Sequence, residues 1–428
     1  MKIIYLFFIF FMCIQFGNAQ DTLKTTQDSL KLTIKQAEEI FLNKNLSLLA
    51  QKYSIDSAKA TAITARLYDN PQISYANGFY QPETKKFFDL NNQRWEIALQ
   101  ISQLVKTAGK RNKAIQLATS GINVAQFQFY DLLRTLRYVL RNDFYNIYFL
   151  EQSSKLYQIE INSLQKLVPI FEQQFKKGFI AFKDVLRIKS QLYTLQAEYN
   201  DLQTNIDNVQ SEFRLLIRSD PGTYIIAEAD TLNINTAVVS KIIYQTLLDS
   251  AIAIRPDLKA LNAGITFSQN NLILQKALAK PDLTFNLNYD RLGSYVKNFN
   301  AIGVALPLPL FNRNQGNIKN ATIQTEVNKV AFDAGIDKLK NDVTTSYTIA
   351  LRAEKLLLSF DPKFDADLAH LISEVFINFQ KRNVTMFEFL DFYESYKQNV
   401  LQLNKLRFNK MNALEQLNFS VGKIIFNQ

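Results

Sequence analysis

The sequence predicts a mainly α-helical chain with a small β part, in which one helix, β-hairpin and long-helix unit occurs twice. Three observations carry that reading. Glycine and proline are scarce, 12 and 9 in 428 residues, about 5% where ~12% is usual, so few positions can interrupt a helix. Apolar residues step by three and four from Val185 through Ile188, Leu192, Leu195, Tyr199, Leu202, Ile206, Val209 and Phe213 to Leu216, which is a coiled-coil seam. The same order of features then appears in both halves.

In chain order, residues 1–19 come first. Lys2 precedes an apolar run from Ile3 to Phe16, and Gly17 and Ala19 stand before Gln20, the pattern of a cleavable secretory signal. The run is shorter than the ~20 residues a membrane span needs. Cys13, the single cysteine, lies inside it behind Phe10, Phe11 and Met12, which does not suit a lipoprotein site, so the mature chain is expected to hold no cysteine.

The duplicated unit follows. Asn70-Pro71-Gln72-Ile73-Ser74-Tyr75 recurs as Lys280-Pro281-Asp282-Leu283-Thr284-Phe285, and Leu104 to Arg111 with Gly109 matches Leu310 to Ile318 with Gly316. Phe175 to Leu186 matches Phe379 to Leu390. The first unit is placed at 20–217, a linker at 218–245 and the second unit at 246–428. Alternating apolar and small or polar residues mark strands at about 71–80, 94–103, 282–290 and 299–307. Each is the length of a tilted transmembrane strand. Phe79, Tyr80, Trp95, Tyr289 and Phe299 gather near strand ends, as aromatics do at a membrane interface, or else as ordinary packing. Four strands cannot close a barrel, and an open edge cannot sit in lipid, so a membrane role requires several chains.

Between Lys110 and Phe175 a helix on the order of 100 Å is expected, with Pro169 inside it. The second copy, Asn317 to Phe379, should kink at Asp361-Pro362. A second seam is read through Phe389, Phe392, Tyr396, Leu403, Leu406, Ala413 and Leu417, with polar breaks at Asn399 and Lys410. Turns at about 176–180 and 381–385 join the paired helices. Such lengths suit a tube or fibrous bundle.

Composition excludes most chemistry. One histidine and one cysteine leave no zinc set, no disulfide framework and no nucleophile pair beyond what His370 could serve. No catalytic site, cofactor or resident metal is expected, and the chain is read as not an enzyme. The net charge of +10, one unit of it Lys2, is spread along helices rather than clustered, and an exported protein has no nucleic acid to meet.

On these features the chain resembles the outer membrane efflux (TolC) family over roughly 30–425. The resemblance rests on Phe175-Lys176-Lys177-Gly178-Phe179 followed by Asp184-Val185-Leu186, on the proline before each hairpin, and on Pro307-Leu308-Pro309-Leu310-Phe311 leading to Gly316. Leu32 to Ile40 and Gln103 to Arg111 look most like the cobalt-zinc-cadmium resistance branch. The resemblance implies a homotrimer, with a twelve-stranded β-barrel in outer-membrane lipid continued by an α-helical barrel through the periplasm. There it would dock on a periplasmic adaptor and an inner-membrane pump of the resistance-nodulation-division type. The implied function is a passive exit duct for metal cations or drugs. Kept beside it are a periplasmic coiled-coil adaptor, the duct of a type I protein secretion system, and an exported carboxylate hydrolase with no convincing acid pair.

Carried over residue by residue, the family's gate falls on Asp184, Glu388 and Asp391. Val384 stands where some members have a gating arginine, and Phe379 where a hydroxylated aromatic is found. The adaptor-docking tip falls on Lys177, Gly178, Phe179, Lys381, Arg382 and Asn383, and the strand-to-helix swivel on Pro307 and Pro309. Lys177, Lys381 or Arg382 would have to replace the usual locks. Arg382 stands where glycine is usual, so the second tip turn is expected to differ in shape. Thr385 and Glu388 also have capping-box spacing, an ordinary structural use of an acid.

Overall fold

The computed structural model describes residues 28–88, 96–229, 238–292, 296–361 and 363–426. The secretory signal, Cys13, Trp95 and Pro362 lie outside them.

Two short helices open each half. α1 (Ile34–Lys44) starts at a Thr33/Gln36 capping box, and α2 (Leu46–Arg66) is capped by Asn45, whose side chain accepts from the Leu48 amide. Their counterparts are α5 (Tyr244–Ile254) and α6 (Pro256–Leu278), with Pro256 at the first helical position, where its missing N–H costs nothing. Arg255 takes the place of Asn45 and ties the corner electrostatically, with Asp257 at 2.5 Å and Asp342 at 3.1 Å.

Strands β2 (Gln72–Asn77), β5 (Ile97–Val105), β7 (Leu283–Asp290) and β8 (Phe299–Ala305) form one antiparallel sheet in that order. The hairpin of the first half therefore pairs with that of the second through β5 and β7. Ile73, Ile101, Leu287 and Ile302 form one row across all four strands. The next row is Gln72, Ser102, Asn286 and Gly303, so one face is apolar and the other polar or small. The apolar face is uncovered in the single chain, with Ile73 71% and Ile302 81% exposed.

Two strand limits differ from expectation. β2 stops at Asn77, and Tyr80–Gln81 (β3) turns aside to pair with Lys86–Phe87 (β4). β5 is displaced toward the following helix, ending at Val105. Sequence alternation also missed a parallel pair, β1 (Ser29–Leu32) with β6 (Tyr224–Ala227), which anchors the start of the described chain to the segment between the halves. Buried Gln210 holds β6 by bonding both the amide and the carbonyl of Ile225.

The first long helix, α3 (Lys110–Lys176), is continuous for 67 residues and passes through Pro169, about 100 Å at 1.5 Å per residue. Its copy is interrupted as expected, into α7 (Gln315–Leu358) and α8 (Phe364–Gln380). Asp361 accepts from the Lys363 amide at that break. The return helices are α4 (Phe182–Ile217) and α9 (Met386–Val421). On α4, seven seam residues from Val185 to Phe213 are buried, and at the end Ile217 replaces the expected Leu216.

On α9 the expected seam needs correction near the tip. Phe392 is 42% exposed, while Leu390, Tyr393 and Lys397 turn inward beside Phe389. The reason is chemical: Lys397 is drawn in by Glu198 and Glu394, at 2.8 and 2.9 Å. The stem of a lysine can line an apolar seam while its head is paired, so a pattern counting only apolar residues chose the wrong stripe. Lys410, read as a polar break, is likewise fully buried.

Candidate functional site: the helical tip

The α3–α4 and α8–α9 turns lie side by side at the end of the long helices. In the first, the Lys177 amide donates to Gln173, Gly178 to Phe175 and Phe179 to Gln174, with Gly178 left-handed at φ +76°. In the second, Lys381 donates to Ile377, Arg382 to Phe379 and Asn383 to Asn378, with Arg382 at φ +63°. The expectation of a different second turn is therefore overturned. Arg382 adopts the left-handed conformation that glycine takes for free, at a cost of ~1–2 kcal/mol.

Below the turns the helices are joined by aromatic rings. Phe379 stacks on Phe389 with centroids 4.2 Å apart and planes 7° from parallel, and on Phe171 at 5.8 Å. Phe379 thus faces the core shared with α3 and α9 rather than solvent. Phe179 is 66% exposed and Phe387 62%, and they line a cleft of about 910 Å³ with Lys183, Asp184, Arg187 and Arg382. The Arg187 guanidinium lies over the Phe387 ring at 5.2 Å.

The three candidate carboxylates differ in freedom. Glu388 closes a capping box, accepting from the Thr385 amide at 2.9 Å and its hydroxyl at 2.7 Å. These bonds hold its carboxyl below the usual range. Asp184, in the first turn of α4, is half-buried and Asp391 is exposed; neither has an ion-pair partner among the described residues. Asn383 reaches Asn378 through its side chain, while Lys177 and Lys381 each cap a helix end. Val384 packs against the tip core.

About three turns back along α3 from Phe171, sequence reading missed a buried polar cluster. Glu160 is 1% exposed, and neither carboxylate oxygen has a hydrogen-bond partner among the described residues. Lys397, Glu198 and Glu394 surround it, and the Tyr393 hydroxyl donates to the Glu160 carbonyl at 3.4 Å. Burial pushes its carboxyl up to about 8. Only the charge at an otherwise apolar step of α3 hinted at this.

At the other end of the helices the two strand-to-helix junctions differ. Lys110 is buried between Asp282, at 2.6 Å, and the Lys280 carbonyl, while the Thr107 amide donates to the same Asp282. The second junction, with Pro307 and Pro309, leaves Leu308 68% and Phe311 93% exposed. The helix-start match also moves by two residues: Gly109 at φ +66° corresponds to Asn314 at φ +58°, not to Gly316. Asn314 is held by the Gln275 carbonyl at 2.8 Å.

Among the aromatics, Phe79 and Tyr80 pack with Phe87 in the β3–β4 turn, and the Tyr289 hydroxyl donates to Asn298. Phe299 is 47% exposed. His370 is exposed on α8. Among the described residues no cluster suited to a metal is present, and no helix is long and apolar enough to cross a membrane.

Comparison with known proteins agrees with this architecture. Residues 39–217 match the family model described as outer membrane efflux protein. The cobalt-zinc-cadmium resistance protein CzcC of Cupriavidus metallidurans is 20% identical over 334 residues, 76% of each chain. Among solved structures, the outer-membrane channel OprN superposes with a TM-score of 0.71 at 13% identity, covering 91% of this chain and 89% of its own. CusC, described with its transmembrane channel formation, gives 0.70 at 15%, covering 91% and 92%.

Proposed function

We propose that this chain, an outer membrane efflux protein by its match over residues 39–217, is the exit duct of a tripartite efflux system. The observation that carries the reading is the four-stranded sheet: apolar and uncovered on one face, polar on the other, with unpaired edges at β2 and β8. Backbone groups on those edges cannot be left open in lipid. Joining β8 of one chain to β2 of the next keeps the antiparallel alternation, and three chains close a twelve-stranded barrel. The four long helices of each chain would continue it as a tube through the periplasm. Residues 1–19 act as the export signal. Residues 20–217 and 246–428 are the two repeats, joined by 218–245. Phe79, Tyr80, Trp95, Tyr289 and Phe299 would sit at the lipid interface, and Pro307 and Pro309 form the looser swivel.

The tip turns, Lys177 to Phe179 and Lys381 to Asn383, are the docking surface for a periplasmic adaptor, with a resistance-nodulation-division pump beyond it. Threefold symmetry would turn Asp184, Glu388 and Asp391 into carboxylate rings that favour cations. Asp184 and Asp391 are the free members, and Glu388 is held by its cap. The duct conducts passively, and likeness to CzcC favours metal cations as cargo.

Planar-bilayer recording from purified protein tests this. The expected result is a cation-preferring pore of low open probability, in which Asp184→Asn with Asp391→Asn raises conductance or weakens block by multivalent cations. Unchanged currents would remove the gate while leaving the duct; recovery of the mature protein soluble in the periplasm would sink the duct itself.

A further inference from the structure

Away from the tip, α3, the α5–α6 corner and the end of α9 enclose a recess of about 330 Å³. Its wall is rich in cations because Arg134, Arg137 and Arg141 fall on one face of α3 at helical spacing. Two of the three are committed. Arg134 pairs with Asp131 at 2.6 Å and donates to the Phe419 carbonyl, and Arg141 pairs with Glu38 and Glu415 at 2.9 and 2.8 Å. Among the described residues Glu415 is the only acidic one lining the recess. Arg137, Lys259 and Lys423, which also line it, have no acidic partner among the described residues. The Arg137 Nε is buried with no hydrogen-bond acceptor among the described residues, a desolvation cost that an anion would relieve. The rest of the wall is apolar, including Phe127, Leu133 and Ile254.

We propose that this recess binds a small amphipathic organic anion. Its acidic head lies against Arg137, Lys259 and Lys423, and its apolar body against Phe127, Leu133 and Ile254. A bare inorganic anion would satisfy the cations and leave the apolar wall wet. A neutral hydrophobe would leave the cations unpaired. The combination selects a carboxylate or phosphate on a ring or short chain. The site lies beside the wall helices and far from the tip carboxylates, so it acts independently of the gate.

The test is calorimetric titration of the full-length protein in neutral detergent with 2-naphthyl phosphate, against inorganic phosphate and 2-naphthol. Saturable binding of the naphthyl phosphate is expected, weakened at least about tenfold in the Arg137→Gln, Lys259→Gln, Lys423→Gln variant and by raised salt. Phe127→Ala, which keeps every charge, should also weaken it while circular dichroism stays unchanged. Equal titration by wild type and triple variant overturns the proposal, as does inorganic phosphate binding as tightly as the naphthyl ester. If wild type takes up no probe and the triple variant loses trimer assembly, the cations serve a neighbouring copy, and the proposal also falls. The readout is equilibrium binding, so it succeeds or fails separately from conduction.

Discussion

At the scale of single residues, the tip turns show one backbone shape reached by two sequences. Gly178 and Arg382 share a left-handed conformation, but an arginine there crowds its Cβ against the following carbonyl. Arg382→Gly should therefore raise thermal stability, by up to about 1 kcal/mol after allowing for the greater freedom of glycine in the unfolded chain. Gly178→Arg should lower it, and melting curves of the two variants check both signs. Thr385→Ala removes the hydroxyl that Glu388 holds and should cost about 1 kcal/mol. In the same variant the amide of residue 385 still donates to Glu388, so block by multivalent cations should change little although the tip is less stable. The match between Phe175–Leu186 and Phe379–Leu390 made both turns legible in the sequence. The shape of the second was misjudged because residue preference was given more weight than the hydrogen bonds that close the turn.

Within single elements, apolar periodicity located α4 well and α9 poorly, and the difference is polar burial. The α4 seam is almost wholly aliphatic or aromatic, whereas α9 buries Lys397, Asn404, Lys410 and Glu415. Each is admitted by partners on other helices that no local window contains, such as Glu198 for Lys397 and Ser153 for Asn404. The parallel β1–β6 pair escaped for a related reason: strands of four residues joined across most of a half carry too little alternation to register. Glu160 turns this buried polarity into a prediction. Its carboxyl is raised from 4.5 to about 8 by burial, so between those values the folded chain keeps a proton that the unfolded chain has lost. Stability must then fall as pH rises through that window, by at most ~1.4 kcal/mol per unit from this group. Glu160→Gln supplies a neutral isostere and should stabilise the protein near neutral pH. It should also flatten the slope of melting temperature between pH 5 and 8. A slope unchanged in the variant would mean that Lys397 already compensates an ionised Glu160.

For the whole molecule, the decisive feature is one that a single chain cannot complete. The sheet places an unbroken apolar row, Ile73, Ile101, Leu287 and Ile302, on a face that none of the described residues covers, and among those residues it ends in two open edges. Packing that row on the helices would have been the ordinary solution for two small hairpins. The sheet instead pairs β5 with β7 across the halves and stands beyond the helix junctions. Closure by three copies makes a specific claim about neighbours: β8 of each chain lies antiparallel to β2 of the next. The single cysteine, Cys13, falls in the segment read as a signal, and cleavage after that segment would leave introduced pairs no cysteine background. One cysteine scanned along Gln72–Asn77 and a second along Phe299–Ala305 should yield, for registers facing across the junction, disulfide-linked dimers and trimers that survive heating in SDS. Because the strands are antiparallel, the reactive pairs should follow a falling register, one partner moving up β2 as the other moves down β8. Pairs rising together would require parallel joining. Monomer alone at every register would leave both edges open, which lipid does not permit, and would place the sheet outside the membrane.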